Sequence, residues 1–141
     1  MANLGGMIHR IAHKMNRKND KSCQNIGVSA IQAKIIGFVR RKSKHTDVFQ
    51  KDIEDFFELR GSSVTSTLKN LEKTGYILRE VLPNDQRLKR IVLTQKALDI
   101  HNQIMDNIMQ VEAEAFSCLT DEEKNDLELL LEKILSNIEN Y

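Results

Sequence analysis

The 141-residue chain has a single proline and few glycines, and no apolar run approaches the ~20 residues that a membrane-spanning helix needs. Residues 1–17 also lack the long apolar stretch of a signal peptide. These absences argue against membrane and secreted proteins, so we expect a cytoplasmic protein with no membrane partner. With 40% hydrophobic residues, the chain can form one packed domain, alone or with an appended dimerisation region.

Motifs of catalysis are missing as well. The sequence contains no nucleotide-binding loop, no catalytic triad and no metalloprotease motif. We therefore expect neither an enzyme nor a bound cofactor, and the function has to be sought in binding.

Two cysteines and three histidines are the candidates for a sensing site. Cys23 and Cys118 form no CxxC unit and no metal quartet, and thiols of cytoplasmic proteins are normally reduced. We interpret them as incidental or buried thiols, with a redox sensor as the alternative. His9 and His13 are four residues apart and His101 lies on a predicted helix, so a zinc sensor is a second alternative. Because no carboxylate or thiol is obviously placed with them, we predict no metal site.

Charge is unevenly divided along the chain, although the net charge is only +1. Residues 1–39 carry six Lys and Arg against one Asp or Glu, and residues 40–96 carry thirteen against eight. Residues 97–141 carry two against eleven. A polyanion would be attracted to the first two thirds and repelled by the last third. An acidic helix can also be an ordinary solvated surface, so the asymmetry is a supporting signal only.

Apolar stripes predict helices at both ends of the chain. The first helix, over about residues 3–18, has one apolar face, formed by Leu4, Ile8, Ile11 and Met15. The polar residues 16–25 predict a loop after it. Two further helices are expected over about residues 95–116 and 120–140, the first capped by Thr94 and the second by a Thr120–Glu123 capping box.

The centre of the chain has the element order of a winged helix-turn-helix. A Ser29–Gln32 capping box opens one helix, and a short helix follows over about residues 50–57, with Asp47 as a possible N-cap. A third helix runs from a tight break at residues 60–63 to residue 74, where Gly75 supplies the positive φ of a C′ position. Residues 76–82 and 88–93 predict a β-hairpin around a turn-like segment, 83–87.

The third of these helices has one face suited to a core and one suited to DNA. At about 100° per residue, Val64, Leu68 and Leu71 share the apolar face. The opposite face carries small hydroxyls and lysines without an acidic residue, namely Ser62, Ser66, Lys69 and Lys73, with Thr65 beside them. Small hydroxyls let a helix approach base edges and phosphates closely. An ordinary surface helix is the alternative, but such helices usually mix both signs of charge.

The hairpin supplies further basic residues. Arg87 is predicted at its tip, with Lys89 and Arg90 on the returning strand. A guanidinium suits a narrow, electronegative minor groove. Asp85 stands two residues before Arg87, where its carboxylate can orient that arginine, cap the turn, or do both.

Taken together, residues 28–94 resemble the MarR (multiple antibiotic resistance regulator) family of winged helix-turn-helix regulators. The matching pieces are Val28-Ser29 with Gln32 and Ile35, Gln50-Lys51-Asp52-Ile53, Ser62-Ser63-Val64-Thr65, Leu71-Glu72-Lys73-Thr74-Gly75-Tyr76-Ile77 with Arg79, and the wing signature Asp85-Gln86-Arg87 with Leu93-Thr94. The resemblance implies that the first helix and the last two intertwine with a second subunit. It also implies that an effector binds between the DNA-binding lobe and this dimer body.

We therefore predict a mainly α protein with a two-stranded β wing, in which residues 1–27 and 95–141 form a helical dimerisation region and residues 28–94 form the DNA-binding lobe. The predicted function is a homodimeric, ligand-responsive repressor that binds a pseudo-palindromic double-stranded DNA operator, with an effector that the sequence does not name. A winged helix that docks proteins is the alternative outside this class. The predicted DNA-binding residues are Gln50, Ser62, Ser63, Thr65, Ser66, Lys69, Lys73, Arg87 and Lys89, with Asp85 as support for the wing.

Overall fold

Side-chain caps fix where three of the helices begin, as the sequence predicts. Ser29 Oγ accepts from the N–H of Gln32 while the Gln32 side chain accepts from the N–H of Ser29, which closes the capping box. Thr120 and Glu123 form the same reciprocal pair. Thr94 Oγ1 accepts from the N–H of Ala97. Each cap satisfies N–H groups that the first turn of a helix leaves without partners.

The computed structural model describes residues 2–140 and has, within that range, six helices and one antiparallel two-stranded sheet. The elements in chain order are α1 Leu4–Ile26, α2 Ala30–Lys42, α3 Gln50–Phe57, α4 Gly61–Lys73, β1 Ile77–Leu82, β2 Asp85–Leu93, α5 Gln95–Ala115 and α6 Asp121–Glu139. The predicted fold class, a mainly helical winged helix-turn-helix, is confirmed.

The first helix is longer than predicted, because the expected loop over residues 16–25 is helical. Polar residues alone do not end a helix, and this stretch contains neither proline nor glycine. The apolar spacing in fact continues, since Cys23 is buried and Ile26 packs against the core. The helix ends only at Gly27, whose φ of 98° is the left-handed conformation of a C-cap glycine.

The start of α3 also differs from the prediction, which named Asp47 as a possible N-cap. The N-cap is Phe49, which has no side-chain acceptor, and Asp52 Oδ2 accepts from the Phe49 N–H at 2.8 Å. The carboxylate of Asp52, in the first turn, thus accepts the N–H of the N-cap residue and places a negative charge at the start of the helix. Asp52 Oδ1 also lies 3.3 Å from Nζ of Lys42 in α2.

The hairpin turn is shorter than the predicted five residues, since β2 already begins at Asp85 and only Pro83 and Asn84 separate the strands. Leu82 pairs with Asp85 while Val81 pairs with Lys89, so the register shifts between these pairs. The intervening residues of β2, including Arg87, form an irregularity of the β-bulge kind.

The core lies in the central part of the chain. Its completely enclosed side chains come from α2, the segment before α3, α3, α4 and β1: Ile35, Ile36, Val39, Val48, Ile53, Val64, Leu68, Leu71 and Ile77. Helix α5 adds Ala97 and Ile104 to this cluster. Helix α6 contributes no buried residue within the described part of the chain, and its leucines and isoleucines stay largely exposed.

The end of α4 is fastened to the start of α5. Thr94 Oγ1 donates to the carbonyl oxygen of Gly75 at 2.6 Å, and the Thr94 N–H donates to that of Tyr76 at 3.0 Å. Lys96 Nζ donates to the carbonyl oxygen of Thr74 at 2.6 Å and lies 4.5 Å from the centre of the Tyr76 ring. A cation at the C-terminus of α4 also interacts favourably with the helix dipole. These contacts form a direct joint between the end of α4 and the start of α5.

This joint depends on Gly75, which adopts a φ of 85°. A Cβ added there would meet only Lys96 Cδ, at 3.9 Å, so the cost of a side chain comes from the backbone conformation and not from a clash. We expect Gly75→Ala to lower the free energy of unfolding by about 1–2 kcal/mol. Gly75→Asn should cost less, because asparagine tolerates the left-handed region better. Urea unfolding at equal protein concentration measures both; equal losses would contradict the conformational explanation.

Candidate nucleic-acid interface

Helix α4 is oriented by the burial of one face. Val64, Leu68 and Leu71 have no exposed surface, as the sequence predicts for the apolar face. The predicted DNA-facing residues on the other side are exposed, namely Ser62, Ser63, Ser66, Lys69 and Lys73, while Thr65 is half-buried. The one acidic residue of the helix, Glu72, is directed to Arg79 of β1, at 3.8 Å. A polar face without carboxylates is thus presented to solvent.

Gln50, at the start of α3, holds the first turns of α4 in place. Its Nε2 donates to Thr65 Oγ1 at 2.8 Å and to the carbonyl oxygen of Gly61 at 3.3 Å. Since the Thr65 oxygen accepts this bond, the Thr65 hydroxyl proton is left to donate elsewhere. Gln50 and Thr65 were both predicted to be DNA-binding, and the structure brings them together as one hydrogen-bonded unit.

A second tie to α4 was not predicted. Gln32, whose oxygen completes the cap of α2, donates through Nε2 to Asn70 Oδ1 at 2.8 Å. The carboxamide of Asn70 is therefore used in holding α4 against α2. Sequence patterns reveal the local capping box, but they do not reveal that its glutamine reaches a residue 38 positions away.

The wing carries its arginine in the second strand and not at the predicted tip. Arg87 lies in the irregular part of β2, and 92% of its side chain is exposed. Asp85 Oδ1 accepts from the Arg87 N–H at 3.0 Å and from Arg87 Nε at 3.3 Å. The aspartate thus stabilises the local backbone and orients the guanidinium at the same time. Lys89 is exposed nearby.

Arg90, by contrast, forms ion pairs with carboxylates of the same chain. Its Nε donates to Glu80 Oε2 at 2.8 Å, and its Nη1 lies 3.7 Å from Asp47 Oδ1. The hydrogen bond to Glu80 is the main reason that the pKa of Arg90 is raised. Beside this pair, the Ile91 N–H donates to the carbonyl oxygen of Val48 at 2.7 Å. Arg90 therefore ties the wing to the segment before α3, and its charge is compensated by two carboxylates.

Comparison with known proteins agrees with this geometry. Residues 26–88 match the model of the MarR family. The transcriptional regulator PecS of Dickeya dadantii is 25% identical over 135 residues, which cover 96% of this chain and 81% of PecS. The crystal structure of MepR, a transcription regulator of the Staphylococcus aureus multidrug efflux pump MepA, superposes with a TM-score of 0.86 at 25% identity, covering 97% of this chain and 99% of that one.

The family model covers the winged helix-turn-helix part of the chain, and the likeness to MepR extends over almost its whole length. The relatives that the chain matches are transcriptional regulators, and these likenesses indicate a DNA-binding regulator of the MarR type. A MepR mutant of S. aureus bound to an oligodeoxyribonucleotide superposes with a TM-score of 0.74 at 25% identity, covering 98% of this chain and 99% of that one. The described fold therefore agrees with that of these solved regulators.

The residues considered for sensing lie apart from this interface. Cys23 is buried, and its burial, followed by the charge of Asp20, raises the pKa of the thiol, which disfavours the reactive thiolate. Cys118 is exposed between α5 and α6. Partial burial, and then the neighbouring positive charges, lower the pKa of His101. His9 and His13 stack along α1 with ring centres 6.2 Å apart.

Among residues 2–140, no group of three or more His, Cys, Asp and Glu side chains is arranged to hold a metal ion. The three histidines named in the sequence therefore do not form such a group in this chain. In the same range, no helix has the length and apolar character needed to cross a membrane.

Proposed function

We propose that this regulator acts as a homodimer that binds a pseudo-palindromic operator and represses transcription until a small molecule releases it. The observation that carries the proposal is the combination of a cationic, acid-free face on α4 with an apolar face on α6 that no part of the described chain covers. Residues 28–94 would be the DNA-binding lobe, and residues 1–27 and 95–141 would be the dimer body.

In this proposal, helix and wing divide the contacts. The exposed hydroxyls and lysines of α4 enter the major groove, with Ser63, Ser62, Thr65, Ser66 and Lys69 nearest the bases and Lys73 near the backbone. Arg87 reaches the minor groove, where a guanidinium reads groove width and potential. Its exposure and its orientation by Asp85 support this role. Lys89 adds a contact to the phosphate backbone.

A second copy of the chain is the natural cover for the terminal helices. Six apolar side chains of α6 form one stripe at helical spacing, namely Leu127, Leu130, Leu131, Ile134, Leu135 and Ile138. Leu130 is 59% exposed and Ile138 is 52% exposed, and Leu4 of α1 is 68% exposed. Contiguous apolar surface of this kind is unusual on a monomer and typical of an interface. A two-fold dimer also presents two recognition helices, which suits a palindromic site.

An effector site is supported by a cavity of about 520 Å³ between the lobe and the proposed dimer body. It lies among α1, α2, α3 and α5, and Phe57, Ile104 and Ile108 are among its apolar lining residues. Asn19 also lines it, and its side-chain oxygen is buried without a hydrogen-bond partner. A small molecule with an apolar body and a hydrogen-bond donor fits this lining. A binder would raise the unfolding temperature and weaken operator binding.

Repression follows if the operator overlaps a promoter, because the bound dimer then excludes RNA polymerase. Transcription in vitro from the promoter beside the regulator's own gene tests this directly. Added protein should lower the transcript level, and a rise would indicate an activator. A winged helix that only docks other proteins would bind no duplex in a gel-shift assay, and the cationic face of α4 favours DNA over that alternative.

The dimer is tested by a charge placed on the α6 stripe. Ile134→Glu should weaken the dimer at least tenfold, because an unpaired carboxylate would have to leave water in the interface. Ser136→Glu introduces the same residue about 200° around the helix and should leave the dimer intact. Sedimentation equilibrium measures both. A wild-type protein that is monomeric at micromolar concentration would contradict the proposal.

The separate roles proposed for α4 and the wing are tested by two substitutions and a set of single-base operator variants. Arg87→Ala should weaken binding to every variant by a similar factor, with an extra loss at A·T-rich flanks. Ser66→Ala should change the preference at one or two base pairs per half-site by up to ~1–3 kcal/mol. Competition binding separates the two patterns. If Arg87→Ala alters neither affinity nor folding, the role given to the wing is wrong.

A further inference from the structure

Arg79 is the most enclosed arginine side chain near the interface, and its hydrogen-bonding capacity is not used up. It extends from β1, and only 18% of its side chain is exposed. Its Nε is buried without a hydrogen-bond partner. Glu72 of α4 lies 3.8 Å from this nitrogen, which is close enough for charge attraction but too far for a hydrogen bond. Buried polar groups normally have partners, so an unused donor here calls for a ligand.

The guanidinium lines a cavity of about 220 Å³ between the start of α3 and the wing. Four cationic side chains line it, those of Lys51, Arg79, Arg87 and Lys89, and none of its lining residues in the described range is acidic. Lys51 and Arg87 are each paired with a carboxylate outside the lining, at 3.0 Å and 3.3 Å, respectively. Among the described residues, Lys89 forms no ion pair and Arg79 has only the longer 3.8 Å contact with Glu72, so these two cations are the least compensated of the four.

The strand register explains why these two residues share the cavity. Arg79 pairs with Ile91 and Val81 pairs with Lys89, so Arg79, Lys89 and Ile91 project from the same face of the sheet. Ile91 is buried and anchors that face against the core, while Lys89 is exposed at the outer end. On the opposite wall are Phe49, Gln50 and Lys51, at the start of α3.

We propose that this cavity holds one phosphate group of the DNA backbone, with Arg79 and Lys89 as its cationic contacts. The inference rests on the proposed DNA-binding mode and adds Arg79 to it. The cavity lies between the short helix that supports α4 and the wing that carries Arg87. A DNA strand that passes from the groove read by α4 to the groove read by the wing crosses this point. A guanidinium buried at the back of such a cavity matches a phosphate and reads no base.

A phosphate contact changes the salt dependence of DNA affinity, which a purely structural role of Arg79 would not do. Each phosphate neutralised contributes about −0.9 to the slope of log K against log salt concentration. Arg79→Gln should therefore reduce the magnitude of this slope by up to about 1.8 for a dimer with one such phosphate site in each subunit. The loss of affinity should be the same factor for the operator and for an unrelated duplex, because the contact is blind to sequence. Fluorescence anisotropy titrations at several salt concentrations measure both quantities.

Three further variants guard against a folding artefact. Arg79→Lys keeps the charge and should recover most of the slope, although not the full affinity, because lysine lacks the planar fork of donors. Lys89→Gln, at an exposed position, should reduce the slope as Arg79→Gln does. Lys124→Gln removes the same charge from α6 and should leave the slope unchanged. Unfolding temperatures of all variants are measured alongside.

The binding results distinguish a failure of the phosphate site from a failure of DNA binding itself. If the wild type binds no duplex, the DNA-binding mode and the phosphate site both fail. If the wild type binds but Arg79→Gln and Lys89→Gln keep the wild-type slope, only the phosphate site is wrong. A loss confined to the operator would likewise overturn it, because that result indicates base readout. Reduced slopes on both duplexes, with Lys124→Gln unchanged, would support it.

Discussion

The burial of Val64, Leu68 and Leu71 is the constraint on which the interface depends. Each is completely enclosed, and burying such a side chain stabilises the fold by roughly 1.5–3 kcal/mol. With these three fixed inward, the hydroxyls and lysines of α4 have to face outward. Gln50 then fixes the helix at its start, and Thr94 and Lys96 fix it at its end. The polar face is thus held rigidly by contacts that do not involve DNA.

The same contacts connect the interface to the rest of the molecule. The α4 terminus is hydrogen-bonded to the first residues of α5, and α5 continues past the cavity that we propose for an effector. A ligand that prefers one position of α5 would therefore shift the recognition helix through this joint. Such coupling requires only a difference in affinity between two arrangements of the same packed elements. The wing is attached separately, through the Val48–Ile91 hydrogen bond and the Arg90 ion pairs.

Local features of this fold could be predicted from the sequence, and features that depend on contacts between distant segments could not. The caps at Ser29, Thr94 and Thr120 and the positive φ of Gly75 act within a few residues, and the structure has them as expected. The α4 face was equally readable, because a periodic apolar stripe determines it. The polar residues 16–25 resemble a loop in the sequence, although Cys23 and Ile26 continue the apolar spacing and α1 runs through to Ile26.

The environments of the wing arginines could not be predicted from sequence patterns either, because they depend on contacts between distant segments. Arg79, Arg87 and Arg90 look alike in the sequence, yet the strand register and its bulge give them three different environments. Arg90 is compensated by Glu80 and Asp47, Arg87 is oriented outward by Asp85, and Arg79 faces a cationic cavity. Only the pairing of β1 with β2 and the approach of α3 decide among these outcomes.

We propose that a dimer reads DNA with α4 of each subunit in successive major grooves. Dimethyl sulfate protection of guanine N7, which lies in the major groove, tests it most directly on an operator selected from random duplexes. We expect two protected clusters related by a dyad, with centres about one helical turn of 10–10.5 base pairs apart or a multiple of that spacing. A single asymmetric cluster, or binding without any protection of N7, would contradict it.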